Sequence, residues 1–127
     1  MDGKPATPEH DSVAEHVQRY YRLVDAGDIA SLLALFTEDV VYRRPGYPPI
    51  RGSRRLEEFY RDVRVIDSGR HRLTEVVVEQ SHAAVSGEFS GVLKDGKEVS
   101  VRFADFFVAS ESGLFRERET FFFAPMV

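Results

Sequence analysis

The sequence predicts an α+β fold: three N-terminal helices packed on a curved, mostly antiparallel sheet, making a cone-shaped domain. Three observations predict it. Apolar residues recur at helical spacing in the first half, as in Val13, Val17, Tyr20, Tyr21 and Val24. The second half divides into four runs rich in β-branched and aromatic residues, at 73–80, 83–93, 98–110 and 114–123. Between the second and third of these lies Lys94-Asp95-Gly96-Lys97, where Asp-Gly tolerates the positive φ of a tight hairpin turn. Helices first and a meander after make an α+β domain. Gly87 and Gly91 inside one run mark the bend that would curve the sheet.

The elements follow in order. Residues 1–11, with two prolines and little apolar content, read as a flexible leader to a single domain at 12–127. Asp11 or Ser12 offers the first helix an N-cap, with Glu15 completing a capping box. Gly27 ends that helix. Asp28 caps a second, carrying Ile29, Leu32, Leu33 and Phe36. A short strand follows at 40–42. Three prolines in 44–49 exclude regular structure and leave a loop. A third helix after Gly52-Ser53 carries Leu56, Phe59, Tyr60 and Val63 on one side. Glu111-Ser112-Gly113 turns the chain into its last strand.

Composition removes several classes of function. Cysteine is absent, so disulfides, thiolate metal sites and cysteine nucleophiles are excluded. No long apolar run suggests a membrane span or signal core, and a cytoplasmic location is the default expectation. The net charge is −4, yet residues 43–72 hold nine arginines against four acids. An acidic chain without stacking platforms does not suggest nucleic acid, so the arginines read as a solvated face. One or two of them can instead serve an anionic ligand. The four histidines lack metal-ligand spacing. His71, at the start of a strand, is the one placed at a pocket rim, although all four also read as structural or solvated. Nucleophile elbows and phosphate-binding loops are lacking. No metal and no cofactor are expected.

Asp105 is the most conspicuous candidate. Strand alternation places Val99, Val101, Phe103, Asp105, Phe107 and Ala109 on one face, so one carboxylate interrupts an apolar row. Such a group pairs, protonates, works, or reaches water at a strand end. The opposite face, with Ala104, Phe106 and Val108, is apolar enough to suggest contact between two subunits.

The stretch Val17-Gln-Arg-Tyr20, Ala26-Gly-Asp28 and Leu33-Ala-Leu-Phe36-Thr-Glu-Asp39 resembles the opening helices of the nuclear-transport-factor-2-like superfamily, in particular its ketosteroid-isomerase and SnoaL-like branches. Pro45-Gly46, Arg51-Gly52 and Glu58-Phe-Tyr60 continue the resemblance, which spans roughly 12–123. It implies a homodimer and a pocket for an apolar small molecule. It further implies that Tyr20 is an oxyanion-hole tyrosine, that Tyr60 supports it, and that Asp105 is either a protonated donor beside them or an acid/base. The isomerase base is an aspartate before a proline, and here that position is Arg44. Arginine is not a base at ordinary pH, so the familiar steroid isomerisation is not expected.

In the last run, parity places Phe115, Glu117, Glu119 and Phe121 on one face, and the family's last strand implies that this face is the pocket. Glu117 or Glu119 would then replace the missing base. In the other reading they face solvent or a partner, paired with arginines. Arg44 would bind the substrate, Tyr47 would flank the mouth, and Phe103, Phe107 and Phe121 would be wall. The expected activity is cofactor-free isomerase- or cyclase-like chemistry on an apolar oxygenated molecule such as a polyketide or terpenoid intermediate. The alternative is a non-catalytic binding or dimerisation module. Asp105→Asn is expected to end turnover and leave the melting temperature nearly unchanged.

Overall fold

The computed structural model describes residues 8–124. Helix α1 (Pro8–Ala26) starts earlier than the capping box at Ser12 suggests, with Pro8 in the first-turn position that suits a residue lacking an N–H. Asp11 and Ser12 are therefore within the helix, and residues 1–7 of the predicted leader lie outside the described residues. Val13, Val17, Tyr20, Tyr21 and Val24 are all buried in one stripe. Gly27 takes φ 75° just past the helix end. Asp28 then caps α2 (Ile29–Leu33), its carboxylate accepting the Ser31 N–H at 3.2 Å.

Phe36 does not continue that helix. It opens β1 (Phe36–Arg43), four residues before the expected strand. The physical reason is packing: its ring meets Tyr20 at 5.9 Å and Phe115 at 5.6 Å, and the Phe115 N–H bonds the Leu35 carbonyl at 2.8 Å. After the proline loop, β2 (Ile50–Arg51) pairs with β1, and α3 (Ser53–Glu58) follows. Residues Phe59–Val63 then form one wide π-helical turn. It buries the consecutive residues Phe59 and Tyr60 and leaves Val63 47% exposed, off the predicted stripe.

Strands β3 (Ile66–Glu79), β4 (His82–Leu93), β5 (Glu98–Ala109) and β6 (Phe115–Phe122) complete a six-stranded sheet in the order β2-β1-β6-β5-β4-β3. All pairings are antiparallel except β1 with β6. β3 begins seven residues before the expected run, because Gly69 and Gly91 sit opposite each other and make room for the Phe89 ring. A Cβ at Gly91 would come within 2.3 Å of the Ser68 carbonyl oxygen. The fold is thus the predicted α+β cone, with helices packed against one face of a curved open sheet.

Candidate functional site

β5 alternates as its sequence predicts. Phe103, Asp105, Phe107 and Ala109 point inward and are buried, while Phe106 is 48% exposed on the outer face. β6 does not keep one parity. Val108 pairs with Glu117 but Ala109 pairs with Phe115, so Arg116 is an extra residue, a bulge. Phe115 faces the core as expected, and the bulge inverts every position after it. Arg118 and Thr120 therefore point inward, 5% and 3% exposed, where the sequence reading had them outward.

The acids of β6 consequently leave the pocket. Glu117 pairs with Arg116 at 2.8 Å and with Arg43 at 3.8 Å on the surface. Glu119 lies opposite Phe106 on the outer face. Phe121 is there too, 45% exposed and edge-on to Phe106. Neither glutamate is placed to act as a base, and Phe121 is not a cavity wall. Phe107 is core behind the site, 4.7 Å from Phe115. Tyr47 folds back onto Phe59 at 5.4 Å and does not line the cavity.

The cavity holds about 190 Å³ and opens inside the cone. Ile66, Phe89, Leu93, Val99, Val101, Phe103 and Phe122 form its apolar wall. At the polar end stand Tyr20, Tyr60, Asp105, Arg118 and Thr120, with Arg44, Arg64 and His71 also lining it. α1 supplies Tyr20, the π-helical turn supplies Tyr60, and the last two strands supply Asp105, Arg118 and Thr120. This brings together the predicted trio Tyr20, Tyr60 and Asp105, with Arg44 and Phe103.

Asp105 is wholly buried and accepts throughout. Its Oδ2 takes bonds from the Tyr21 hydroxyl and from Arg118 Nη2, the latter at 2.9 Å. Its Oδ1 takes the Thr120 hydroxyl. The carboxylate thus faces a guanidinium and two hydroxyl donors, and both of its oxygens are taken as acceptors. The protonated-donor role that the resemblance implied therefore does not fit this geometry. Thr120, having given its one proton to Asp105, accepts from Tyr42 at 2.9 Å, and Tyr42 accepts from Arg44 Nη1 at 3.1 Å. Every donor in this chain points toward Asp105.

The tyrosine pair is different. Arg118 Nη1 donates to the Tyr20 hydroxyl at 2.6 Å and to the Tyr60 hydroxyl at 3.0 Å. The two hydroxyls also bond each other. That bond uses one of their two protons. The other has no protein acceptor among the described residues, so the pair offers one free O–H to the cavity. Burial pushes the Tyr20 hydroxyl well above the ordinary phenol range despite the nearby Arg118 charge, and raises Tyr60 in the same way. Burial, followed by the Asp105 carboxylate, does the same to Tyr21. Burial alone would lower Arg118, but Asp105 together with Tyr20, Tyr42 and Tyr60 outweighs it and the guanidinium is raised. The pair is thus a neutral donor set beside a fixed positive charge.

The sign of the linkage yields one prediction. A hydroxyl whose folded pKa exceeds its unfolded value retains a proton that the unfolded chain loses above pH 10. Stability is complete below that pH and falls as pH rises toward the folded values. Tyrosinate absorbance at Tyr20, Tyr21 and Tyr60 should therefore appear only as the protein unfolds. Ionisation of all five tyrosines with unchanged circular dichroism would contradict it.

Elsewhere on the cavity lining, Asp25 at the end of α1 holds His71 of β3. Its Oδ1 accepts the ring Nδ1–H at 2.6 Å and its Oδ2 accepts the His71 backbone N–H at 2.8 Å. A carboxylate on Nδ1 fixes the tautomer that leaves Nε2 as an acceptor. Nε2 points away from Asp25 and has no hydrogen-bond partner among the described residues. The ring is walled by Phe89 at 4.7 Å, Tyr21 at 5.1 Å and Phe103 at 5.4 Å. It stands between the cavity and an open surface groove of about 490 Å³ that Asp25 also borders. Sequence reasoning placed His71 only at a rim and passed over Asp25, 46 residues away. It also missed Arg118, whose one signal was a cation on a strand already suspected of facing the pocket.

Comparison with known proteins agrees with this architecture. A family model described as the SnoaL-like domain matches residues 17–118. Among solved structures, the fold is similar to an M. tuberculosis LEH-like epoxide hydrolase, with a TM-score of 0.80 and 16% identity over 91% of this chain and 86% of that one. It is similar to SalBIII, an epoxide hydrolase/cyclase-like enzyme in pyran ring formation in polyether salinomycin, at TM-score 0.78 and 18% identity over 89% and 92%. It is also similar to a Burkholderia pseudomallei NTF2-like protein of unknown function, at TM-score 0.81 and 18% identity over 88% and 91%. Among the described residues, no helix is long and apolar enough to cross a membrane.

Proposed function

The chain belongs to the SnoaL-like domain family of the NTF2-like superfamily, and from that premise we propose that it is an enzyme performing acid–base chemistry on a small, apolar, oxygenated molecule. One observation carries the reading: a carboxylate-held histidine and a tyrosine pair with one uncommitted proton line the same 190 Å³ cavity. His71 Nε2 takes a proton from carbon next to a substrate carbonyl. The electron pair moves onto the carbonyl oxygen, which the free tyrosine hydroxyl meets. Arg118, through its bonds to both tyrosines, stabilises the charge that develops there. Returning the proton at another carbon gives an isomerase; attack of the enolate carbon on a second carbonyl of the same molecule, whose π pair moves to oxygen and takes the proton back from His71, gives a cyclase. The imidazole occupies the chemical role that Arg44 cannot fill.

The cavity is smaller than the roughly 300–1,000 Å³ typical of drug-sized ligands. It suits a single ring with one or two substituents. In heavy water, the protein should exchange the α-protons of 4-oxocyclohexanecarboxylate or its amide, followed by proton NMR. Tyr20→Phe should slow that exchange about 10²–10³-fold, the usual loss for one oxyanion donor. Tight binding without exchange in wild type would leave a binding module instead.

The same reading takes the outer sheet face as a contact between two copies, supported by the exposed Phe106 and Phe121. Sedimentation of the full chain should give a dimer that Phe106→Glu dissociates. A wild-type monomer at micromolar concentration would overturn that part.

A further inference from the structure

The charges around the cavity do not balance. Arg118 is matched by Asp105. Arg44 and Arg64 also line the cavity, and among the described residues neither has a carboxylate within ion-pair distance. Arg44 is surrounded instead by aromatic rings, its guanidinium carbon 5.1 Å from the Phe59 centroid, 5.3 Å from Phe122 and 5.6 Å from Tyr47. Its Nη1 finds Tyr42, but its Nε is buried without a partner. Arg118, itself 5% exposed, also keeps a buried Nε with no partner. Desolvated N–H groups on a cation cost free energy when unpaired. Two of the three arginines lining the cavity thus carry a charge that no carboxylate among the described residues matches, which is the electrostatic setting of an anion site.

We propose that the molecule bound in this cavity is a small apolar carboxylate, whose anionic group is taken by Arg44, with Arg64 a second cation lining the cavity. A guanidinium presents parallel donors that match a carboxylate, and aromatic neighbours hold its plane without competing for those donors. The cavity size and its mostly apolar wall leave room for a ring and little else. This specificity rests on the acid–base reading above, since it places the substrate carboxylate at Arg44 and the reacting oxygen at Tyr20 and Tyr60. Arg44 is then the residue that tells acids from their neutral analogues.

Isothermal titration of the full chain with 4-oxocyclohexanecarboxylate and with its amide tests it. The two probes share a ring and a ketone and differ in charge. The acid should bind about 10–100-fold more tightly, as a charge-assisted bond in a desolvated site implies. Arg44→Met should remove that preference, and Arg44→Lys should keep part of it. Circular dichroism and melting temperature verify that each variant is folded, and the lysine variant serves if the methionine one is not. Equal binding of acid and amide by wild type, or an unchanged preference in folded Arg44→Met, overturns the proposal. Exchange of the amide's α-protons without a preference for the acid sinks this inference and leaves the acid–base reading standing. Selective binding of the acid without any exchange supports the anion site and sinks the acid–base reading.

Discussion

His71→Gln should reduce proton exchange by about 10²–10⁴-fold, the range that a positioned general base contributes. Glutamine keeps a donor that can reach Asp25 but presents no basic nitrogen, so the fold should survive while the chemistry stops. Asp25→Asn should cost less. Its side-chain oxygen can still accept one bond at the end of α1, but it no longer supplies the charge that steadies a protonated ring. The two substitutions should be strongly non-additive, because Asp25 acts only through His71. Binding of the ketone probes should change little in either variant, since the tyrosine pair and the apolar wall are untouched. Full exchange activity in a folded His71→Gln protein would remove His71 from the mechanism and return the search for a base to water or to substrate groups.

The fold was legible wherever local signals agreed. The stripe on α1 from Val13 to Val24 and the Asp-Gly hairpin each carry their own physical cause, and both appear where the sequence puts them. The elements that were misjudged depend on distant partners. Phe36 reads as a helical residue until Phe115 and Tyr20 are brought beside it. Residues 66–72 contain a glycine and several charges, and they become strand only because Gly69 and Gly91 yield space to Phe89.

The site shows the same division. Asp105 was found because strand parity and family resemblance both point at it, and Tyr20 and Tyr60 because the resemblance does. Arg118 was lost to a single bulge at Arg116, which nothing in Phe115-Arg-Glu-Arg-Glu-Thr announces. One extra residue turned two glutamates out to the surface and an arginine into the centre of the network. Asp25 and His71 share no motif, and their pairing exists only in three dimensions. The missing isomerase base at Arg44 was visible in the sequence, whereas the candidate replacement on another strand was not.

Asp105→Asn should destabilise the protein by about 3–5 kcal/mol, the cost of leaving a buried charge without its partner. For a chain of this size that is a fall of roughly 10–20 °C in melting temperature. The sequence alone suggested the opposite, a catalytic loss with the fold intact, because it treated the carboxylate as a working acid. In the structure Asp105 is the sink for Arg118, Tyr21 and Thr120, all of them inward-facing. Asparagine matches the shape but neither neutralises Arg118 nor accepts on both atoms. Its amide N–H groups would face donors. Removing both charges in Asp105→Leu/Arg118→Met should recover part of the loss, since no ion is then buried alone. Activity should fall in both variants, because Arg118 no longer holds Tyr20 and Tyr60 in register. A melting temperature unchanged in Asp105→Asn would mean that the carboxylate is not the partner of Arg118 in solution, and would restore Asp105 as a candidate proton donor.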